Sequence, residues 1–330
     1  MNTCQKYSGI GGQAVIEGIM MKNKQEYATA VRKPDGQIEV QKTSYISMAD
    51  KHKILALPFI RGIFAFVDSL ILGMRTLTWS AGFFEDDEDA EPSKFELWLD
   101  KTFGDKVENI IMGTVMVISF VFAIALFMLL PMYISNLLKK VIDNYYLMAF
   151  LEGVIRIVIF IGYILLISHM EDIRRTFMYH GSEHKCINCI EHGLPLTVEN
   201  VMKSSKEHKR CGTSFLLDVM VISILFFMVI RVDTLAMRAL SRIVLIPVIA
   251  GVSYEFLRWA GRNDSPIVNL LSRPGMWMQG LTTKEPTADM AEVAIAAVNE
   301  VFDWKKYLQE NFGWEEPSGA ENKKDEEKNT

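Results

Sequence analysis

The sequence predicts a mainly α-helical, polytopic membrane protein with about four transmembrane helices, a small N-terminal β-hairpin and a cytosolic His/Cys-rich loop domain. Three observations predict this class: long apolar runs, an uneven distribution of Lys and Arg between loops, and a concentration of His and Cys in one loop. The 330 residues are 50% hydrophobic and 23% charged. The formal charge of −5 argues against a nucleic-acid-binding protein, because such proteins are usually basic. No nucleic acid is therefore expected as a partner.

One apolar run is long enough to cross a membrane and carries no charge. Residues 110–130 cover 21 positions without a charged side chain, and at about 1.5 Å per residue they span the hydrocarbon core. Ionisable residues within such runs usually face other helices, so Glu152 and Arg156, one turn apart, are predicted to neutralise each other. Three weaker runs follow the first, each with one to three ionisable residues: 147–168, 215–230 and 242–260.

Lys and Arg are distributed unequally around these runs. Seven lie in the loop 169–214, three (Lys94, Lys101 and Lys106) lie shortly before the first run, and three (Arg258, Arg262 and Arg273) lie at or shortly after the end of the last run, against five in the two short loops. The positive-inside rule therefore predicts that both termini and the loop 169–214 face the cytosol. We expect a multipass protein of the cell inner (plasma) membrane, with membrane lipids as partners. A cytosolic location also keeps cysteines reduced.

The other segments have their own signals. A Pro-Asp-Gly turn at 34–36 predicts a hairpin over 26–46. Arg61, Asp68 and Arg75 place one polar stripe on an apolar helix, which is typical of an interfacial or re-entrant helix. The predicted organisation is a Gly-rich motif with the hairpin (1–53), this helix (54–84), an acidic linker (85–106), transmembrane helices 1 and 2 (107–168), the His/Cys/Glu loop (169–214), transmembrane helices 3 and 4 (215–260), a C-terminal segment with an amphipathic helix at 287–309 (261–314) and a disordered tail (315–330).

Four of the six histidines and three of the four cysteines fall within 32 residues, which indicates a metal site. On a helix, His180 and His184 lie one turn apart on one face and can chelate one divalent ion, with zinc the first candidate. Glu183 between them is a candidate general base for a metal-bound water. The third ligand would come from elsewhere, with His208 and Cys211 the best candidates.

Two alternatives stay open at this point. Cys186-x-x-Cys189 followed by His208-x-x-Cys211 has the spacing of a structural zinc knuckle. On a continuous helix these two cysteines lie opposite the histidine pair, so both sites cannot form around one metal. The other alternative is that the histidines and cysteines only pack the loop.

The N-terminal glycines have a structural explanation. Only eight residues precede Gly9-x-Gly11-x-x-Ala14, too few for the strand that a dinucleotide-binding loop requires. The small residues of 11–18 instead predict a tight backbone approach, with Glu17 a candidate polar partner.

Four motifs together resemble the YqhQ-like bacterial membrane proteins, a family defined by a domain of unknown function. They are GGQAVIEGIMM at 11–21, YHGSEHK at 179–185, CGTSF at 211–215 and RPGMWMQGLTTKEP at 273–286, and the resemblance covers nearly the whole chain. Members are described as metal-dependent enzymes, which implies roles for His180, Glu183, His184 and Cys211. The pair at 186 and 189 is not part of the family pattern, which weakens the zinc-knuckle alternative.

Two functions are therefore expected. The first is a metal-dependent enzyme, with hydrolysis the first reaction class considered. Its ligands would be His180 and His184 with His208 or Cys211, and Glu183 would be the catalytic base. Relatives have been associated with membrane-protein biogenesis. That association implies the alternative of an assembly factor with the translocon or nascent membrane proteins as partners and any metal structural.

Overall fold

The computed structural model describes residues 5–84, 107–138, 141–230, 232, 234–263 and 265–315. The predicted acidic linker lies outside these residues, as does the predicted tail apart from Glu315. Within them, a small sheet packs between helices and adjoins a bundle of long apolar helices.

The N-terminal segment forms a four-stranded antiparallel sheet in the order β1 (Gly11–Val15), β2 (Gly18–Asn23), β3 (Glu26–Arg32) and β4 (Ile38–Ser44). The last two strands are the predicted hairpin, and Gly36 at its turn has a φ of +84°, where a Cβ would be strained. The sequence predicts only a close approach over 11–18, whereas β1 and its turn into β2 form there. Glycine-rich segments carry a weak strand signal because glycine is depleted in strands.

The strands β2 and β3 are buried on both faces of the sheet. Ile19 and Met21 pack into the main core together with side chains of the C-terminal helices, whereas Met20 packs on the opposite face against Leu72. Successive side chains of a strand point to opposite faces, so β2 contributes to two cores at once. The sheet is thereby held between two helical layers.

The helices of the described residues are, in chain order, α1 (Met48–Lys51), α2 (Ile60–Ala81), α3 (Val107–Ile124), α4 (Leu130–Leu138), α5 (Tyr145–Ile167), α6 (Glu171–Glu191), α7 (Val198–Lys203), α8 (Gly212–Val229), α9 (Leu235–Ala260), α10 (Pro266–Thr282), α11 (Ala288–Val301) and α12 (Trp304–Phe312). A π-helical turn, Ala125–Leu129, joins α3 to α4, so the two form one continuous rod. A short 3-10 helix, Lys53–Ala56, precedes α2.

In the described residues, four helical segments are long and apolar enough to cross a membrane: Gly113–Leu138, Tyr145–Ile167, Gly212–Val229 and Ala236–Ala260. Large apolar side chains on them remain exposed, including Val117 at 63%, Leu166 at 72% and Val229 at 80%. Such surfaces are unfavourable in water and suit lipid. The protein is therefore a polytopic membrane protein, as predicted from its sequence.

The helix α2, which carries the predicted polar stripe, is not one of these four segments. Two members of the stripe pair inside the protein: Arg61 donates to Glu255 of α9 at 2.6 Å, and Asp68 accepts from the Tyr45 hydroxyl at 2.7 Å. On the other face Leu70 is 49% exposed. That α2 lies at the membrane interface stays a prediction.

The predicted amphipathic helix at 287–309 is two helices, α11 and α12. The chain leaves the helical conformation at Phe302, and the Asp303 side chain caps α12 by accepting from the Lys306 amide at 3.0 Å. The predicted apolar face of α11 is buried in the main core, against the sheet and α6: Met290, Val293, Ala294, Ala297, Val298 and Val301.

Candidate metal centre

The second half of α6 is buried on almost every side, although it is rich in polar residues. Twelve of its residues between Tyr179 and Glu191 are buried. Buried polar side chains are costly unless they are hydrogen-bonded or bound, so this pattern marks a built site. His180 and His184 lie one turn apart on this helix, with ring centroids 4.4 Å apart.

Cys211 reaches the same point from the loop that precedes α8. It is the N-cap residue of α8, and its sulfur accepts from the Thr213 amide at 3.4 Å. The Cys211 sulfur also lies 3.3 Å from His180 Nε2. One ligand atom from each of His180, His184 and Cys211 lies within 4.8 Å of the other two. In the part of the chain that the structure describes, this is the group arranged to hold a metal ion.

Both imidazole rings are oriented by backbone carbonyls. Nδ1 of His180 lies 3.0 Å from the carbonyl oxygen of Thr282, and Nδ1 of His184 lies 2.7 Å from that of Lys206. A carbonyl oxygen only accepts, so Nδ1 must carry the proton in both rings. Nε2 is then the nitrogen left as a ligand, which is the arrangement found in most metal-binding histidines.

The sulfur and His180 stabilise each other's charged forms. Burial by itself raises the pKa of Cys211, but the neighbouring His180 outweighs it and holds this pKa well below the ordinary value. Burial likewise lowers the pKa of His180, while the Cys211 thiolate outweighs it and raises this pKa to about 9. This lowered pKa favours the thiolate, the form in which cysteine binds metals. The sequence predicts Cys211 as one of two candidates for the third ligand, and the structure brings it to His180.

Glu183 lies in the wall of a cavity beside the three residues. Its side chain is 5% exposed, and burial raises its pKa. The backbone amide of Gly12 donates to its carboxylate. The cavity has a volume of about 400 Å³ and is lined by His180, His184, Cys211 and β1 as well as by Glu183. The carboxylate is not part of the three-residue group, so its position fits an acid or base better than a ligand.

The structure does not bring His208 into this group. Its Nε2 lies 3.4 Å from Glu191 Oε2 and 3.2 Å from Arg210 Nη2, and its ring centroid is 5.7 Å from that of His184. Glu191 is fully buried and also accepts from the Ser8 amide at 2.9 Å. His208 thus belongs to an ion-pair network that fixes the loop before Cys211.

The zinc-knuckle set is not assembled either. Cys186 and Cys189 lie in the apolar core, on the side of α6 away from the histidines, as helix geometry predicts. Burial raises the pKa of Cys186 well above its usual value and that of Cys189 to about 12. The Cys189 thiol donates to the carbonyl oxygen of Pro195 at 3.4 Å. Both side chains are core-filling thiols.

Three polar residues without a recognisable spacing position the loop that carries Cys211. Lys185 donates to the carbonyl oxygens of Met202 and Ser204, at 2.8 and 2.9 Å. Asn188 donates to two further carbonyl oxygens in 205–207 at 2.7 and 2.8 Å. Gln279 of α10 binds the backbone of His208 in both directions, at 2.9 and 2.8 Å. Sequence reasoning missed these residues because hydrogen bonds to backbone atoms leave no spacing signal.

The N-terminal motif brings the sheet against α6. A Cβ on Gly12 would lie 2.5 Å from the Met20 carbonyl oxygen and 3.1 Å from the Glu183 side chain, so only glycine fits there. Glu17 forms a bidentate ion pair with Arg175 of α6. The predicted tight backbone approach is thus present at Gly12. Glu17 is a polar partner as predicted, and it pairs with Arg175.

Four membrane-spanning helices and a buried His/Cys cluster beneath a small sheet define a polytopic membrane protein with a candidate metal centre. A family model described as "Protein of unknown function (DUF1385)" matches residues 57–304. The chain belongs to this family. The family assignment drawn from the four sequence motifs is confirmed.

A curated relative matches over nearly the same length. The chain is 35% identical over 302 residues to "Uncharacterized protein YqhQ" of Bacillus subtilis (strain 168), covering 91% of this chain and 94% of the relative. No solved structure matches significantly.

Proposed function

We propose that the protein is a membrane-bound metal-dependent enzyme, with hydrolysis the first reaction class. Its metal would be one divalent ion, with zinc the first candidate. The observation that carries this proposal is the orientation of the two imidazoles, whose Nδ1 atoms donate to the carbonyl oxygens of Thr282 and Lys206. Two rings fixed in this way present Nε2 to one point, where the sulfur of Cys211 also lies.

The distances support a tetrahedral ion. Zinc–sulfur bonds of about 2.3 Å and zinc–nitrogen bonds of about 2.0–2.1 Å put neighbouring ligand atoms about 3.5 Å apart. The separation of 3.3 Å between His180 Nε2 and Cys211 Sγ is close to that value. Two imidazoles and a thiolate are also a donor set that zinc prefers over magnesium or calcium.

The surroundings favour catalysis over a purely structural role. Three protein ligands leave a fourth position, which is the arrangement of catalytic zinc sites, and zinc in such a site lowers the pKa of a bound water to about 7. Glu183 lies in the wall of the adjacent cavity with a raised pKa, so it is suited to accept a proton there and to hold it. The cavity of about 400 Å³ is large enough for part of a substrate.

A second candidate function is assembly of other membrane proteins, with the translocon or nascent chains as partners. The observation that favours it is the exposed apolar face of α2, where Leu70 is 49% and Leu77 is 39% exposed. Such a face could bind an apolar client segment. In that case the metal would only hold α6 and the Cys211 loop together.

A labelling experiment tests the metal site without an assay of activity. In metal-stripped protein, iodoacetamide should modify Cys211 at least about tenfold faster than Cys186 or Cys189, because only the thiolate is nucleophilic. Added zinc should suppress labelling of Cys211 alone. Site-resolved mass spectrometry measures all three rates in one sample, so the core thiols serve as internal controls. Labelling of Cys211 that zinc does not change would contradict the proposed ligand set.

We further propose that the metal centre faces the cytosol from the plasma membrane. An even number of spans places the sheet, α6 and α10 on one side of the membrane, which is the side of the Lys- and Arg-rich loop. Reporters fused after residue 144 should therefore read outside the cytosol, and reporters fused after Gly193 should read inside it. The reverse pattern would overturn this orientation and the argument for reduced thiols.

A further inference from the structure

Four ionisable side chains meet inside the membrane bundle. The sequence predicts only the pair of Glu152 and Arg156, which lie 3.5 Å apart. Two arginines of α9 join them: Arg238 donates to Glu152 Oε2 at 2.9 Å, and Arg242 donates to it at 2.8 Å. None of the four residues is more than 8% exposed.

The charges of this cluster do not balance. Three arginines surround one carboxylate, which leaves a net charge of +2 among the described residues of the cluster. Nη1 of Arg238 and both Nε and Nη1 of Arg242 have no hydrogen-bond partner in the described part of the chain. Arg156 is better satisfied, since it donates to Ser223 at 2.6 Å and to the Phe127 carbonyl oxygen at 2.9 Å. Uncompensated charge at this depth is costly and usually marks a functional site.

The two under-satisfied arginines line a cavity. It has a volume of about 280 Å³, and its polar wall is made by Arg238, Arg242, Ser241 and Tyr145. Asp143, an acidic group that also lines it, is exposed to solvent and lies on the loop between α4 and α5. Glu152 and Arg242 each lie seven residues into their helices, so the charges are about 10 Å from this end of the bundle.

The cavity is separate from the candidate metal centre. Phe227 and Ile230, at the C-terminal end of α8, line the cavity, whereas Cys211 caps the N-terminal end. The 18 residues of α8 span about 27 Å, close to the thickness of the hydrocarbon core. The cavity therefore opens on the opposite side of the membrane from the His/Cys cluster.

We propose that this cavity binds an oxyanion of the phosphate class through Arg238 and Arg242. The planar guanidinium presents several N–H donors in a fork that matches the oxygens of a phosphate group. One phosphate group would satisfy the free donors of both arginines and offset the net charge. Inorganic phosphate and the head group of a phospholipid share this chemistry.

The test uses the full-length protein in a phosphate-free detergent. In one arm, inorganic phosphate is titrated at constant ionic strength and binding is measured by calorimetry. In the other arm, native mass spectrometry counts phospholipid retained after delipidation. Saturable phosphate binding identifies the free anion, and one retained phospholipid identifies the head group. Either result supports the proposal if it depends on the arginines.

Substitutions of the two arginines test whether binding depends on their side chains. Arg238→Gln and Arg242→Gln should each weaken binding by about tenfold or more, because each removes charged donors from the anion. Arg273→Gln, which removes an exposed arginine of α10, is the matched control and should bind like the wild type. Glu152→Gln should tighten binding, because it raises the net charge of the cluster to +3; this result is independent of whether the arginine variants fold.

Three outcomes would overturn the proposal. The first is a folded wild-type protein that binds neither phosphate nor phospholipid. The second is binding that both arginine variants retain at full strength. The third is unchanged or weaker binding by folded Glu152→Gln, which would mean that the cluster is only a structural ion-pair network.

Discussion

Replacing Glu183 with Gln is expected to lower the rate of the proposed reaction by about 10²–10⁴-fold, the usual contribution of a general base. Glutamine keeps the size of the side chain and an oxygen that accepts from the Gly12 amide, but it cannot accept a proton. The fold, the amount of protein in the membrane and the bound metal should therefore stay at wild-type levels. Complementation of a strain that lacks the gene measures function, and metal content and protein level are measured in the same membranes.

Two further variants make this result specific. Glu183→Asp keeps the carboxylate and should retain part of the function. Leu70→Glu places a charge on the exposed apolar face of α2 and should leave an enzyme active, whereas an assembly factor should fail. Full complementation by well-expressed, metal-loaded Glu183→Gln, together with loss of complementation by Leu70→Glu, would contradict the catalytic hypothesis and favour the assembly factor.

Replacing Glu191 with Gln is expected to lower the free energy of unfolding by about 3–5 kcal/mol, the cost of breaking a buried ion pair. Glu191 is fully buried and accepts from Gln5 and Ser8 as well as from Arg210 and His208. Its loss leaves the Arg210 charge without its buried partner and releases the N-terminal segment from α6. Denaturant unfolding in detergent measures the change.

The pKa of Glu191 predicts how the stability difference between wild type and Glu191→Gln changes with pH. Burial raises the pKa of Glu191, but the hydrogen bond from His208 and the charge of Arg210 outweigh it and hold the pKa at about 2. A carboxylate whose folded pKa is depressed stabilises the fold above its unfolded pKa of about 4.3, and this contribution is lost as the pH falls. The stability gap between wild type and variant should thus narrow from about pH 5 towards pH 2.

Glu199→Gln is the matched control for Glu191→Gln. Glu199 is exposed and, within the described residues, forms its ion pair along its own helix with Lys203, at 2.6 Å. Exposed pairs of this kind contribute little, so the control should not change stability measurably. Equal effects of the two substitutions would show that the network around Glu191 does not stabilise the protein.

The membrane helices could be predicted because their signal is local. A long uncharged run such as 110–130 has few structural alternatives. The first two strands could not be predicted in the same way, because Gly11 and Gly12 weaken the strand signal and the close approach of Gly12 to Glu183 depends on tertiary packing. The sequence predicts one helix over 287–309 because the apolar face continues through the break between α11 and α12. The break is set by one side chain, Asp303, which caps the start of α12.

The candidate site could be predicted only in part. The four-residue spacing of His180 and His184 fixes a shared face on any helix, so this pair is visible in the sequence. The choice between His208 and Cys211 depends on the path of the loop before α8. That path is set by hydrogen bonds from Lys185, Asn188 and Gln279 to backbone atoms, which leave no spacing signal.

Metal content tests the central claim most directly. Detergent-purified wild-type protein should carry about one zinc ion per chain, as measured by elemental mass spectrometry. His180→Ala, His184→Ala and Cys211→Ser should each lose it. His208→Ala should retain it, and so should the double variant Cys186→Ser with Cys189→Ser, because these residues lie outside the group. Metal that survives in folded His180→Ala and His184→Ala but disappears from the double cysteine variant would contradict the proposed site and indicate a zinc knuckle.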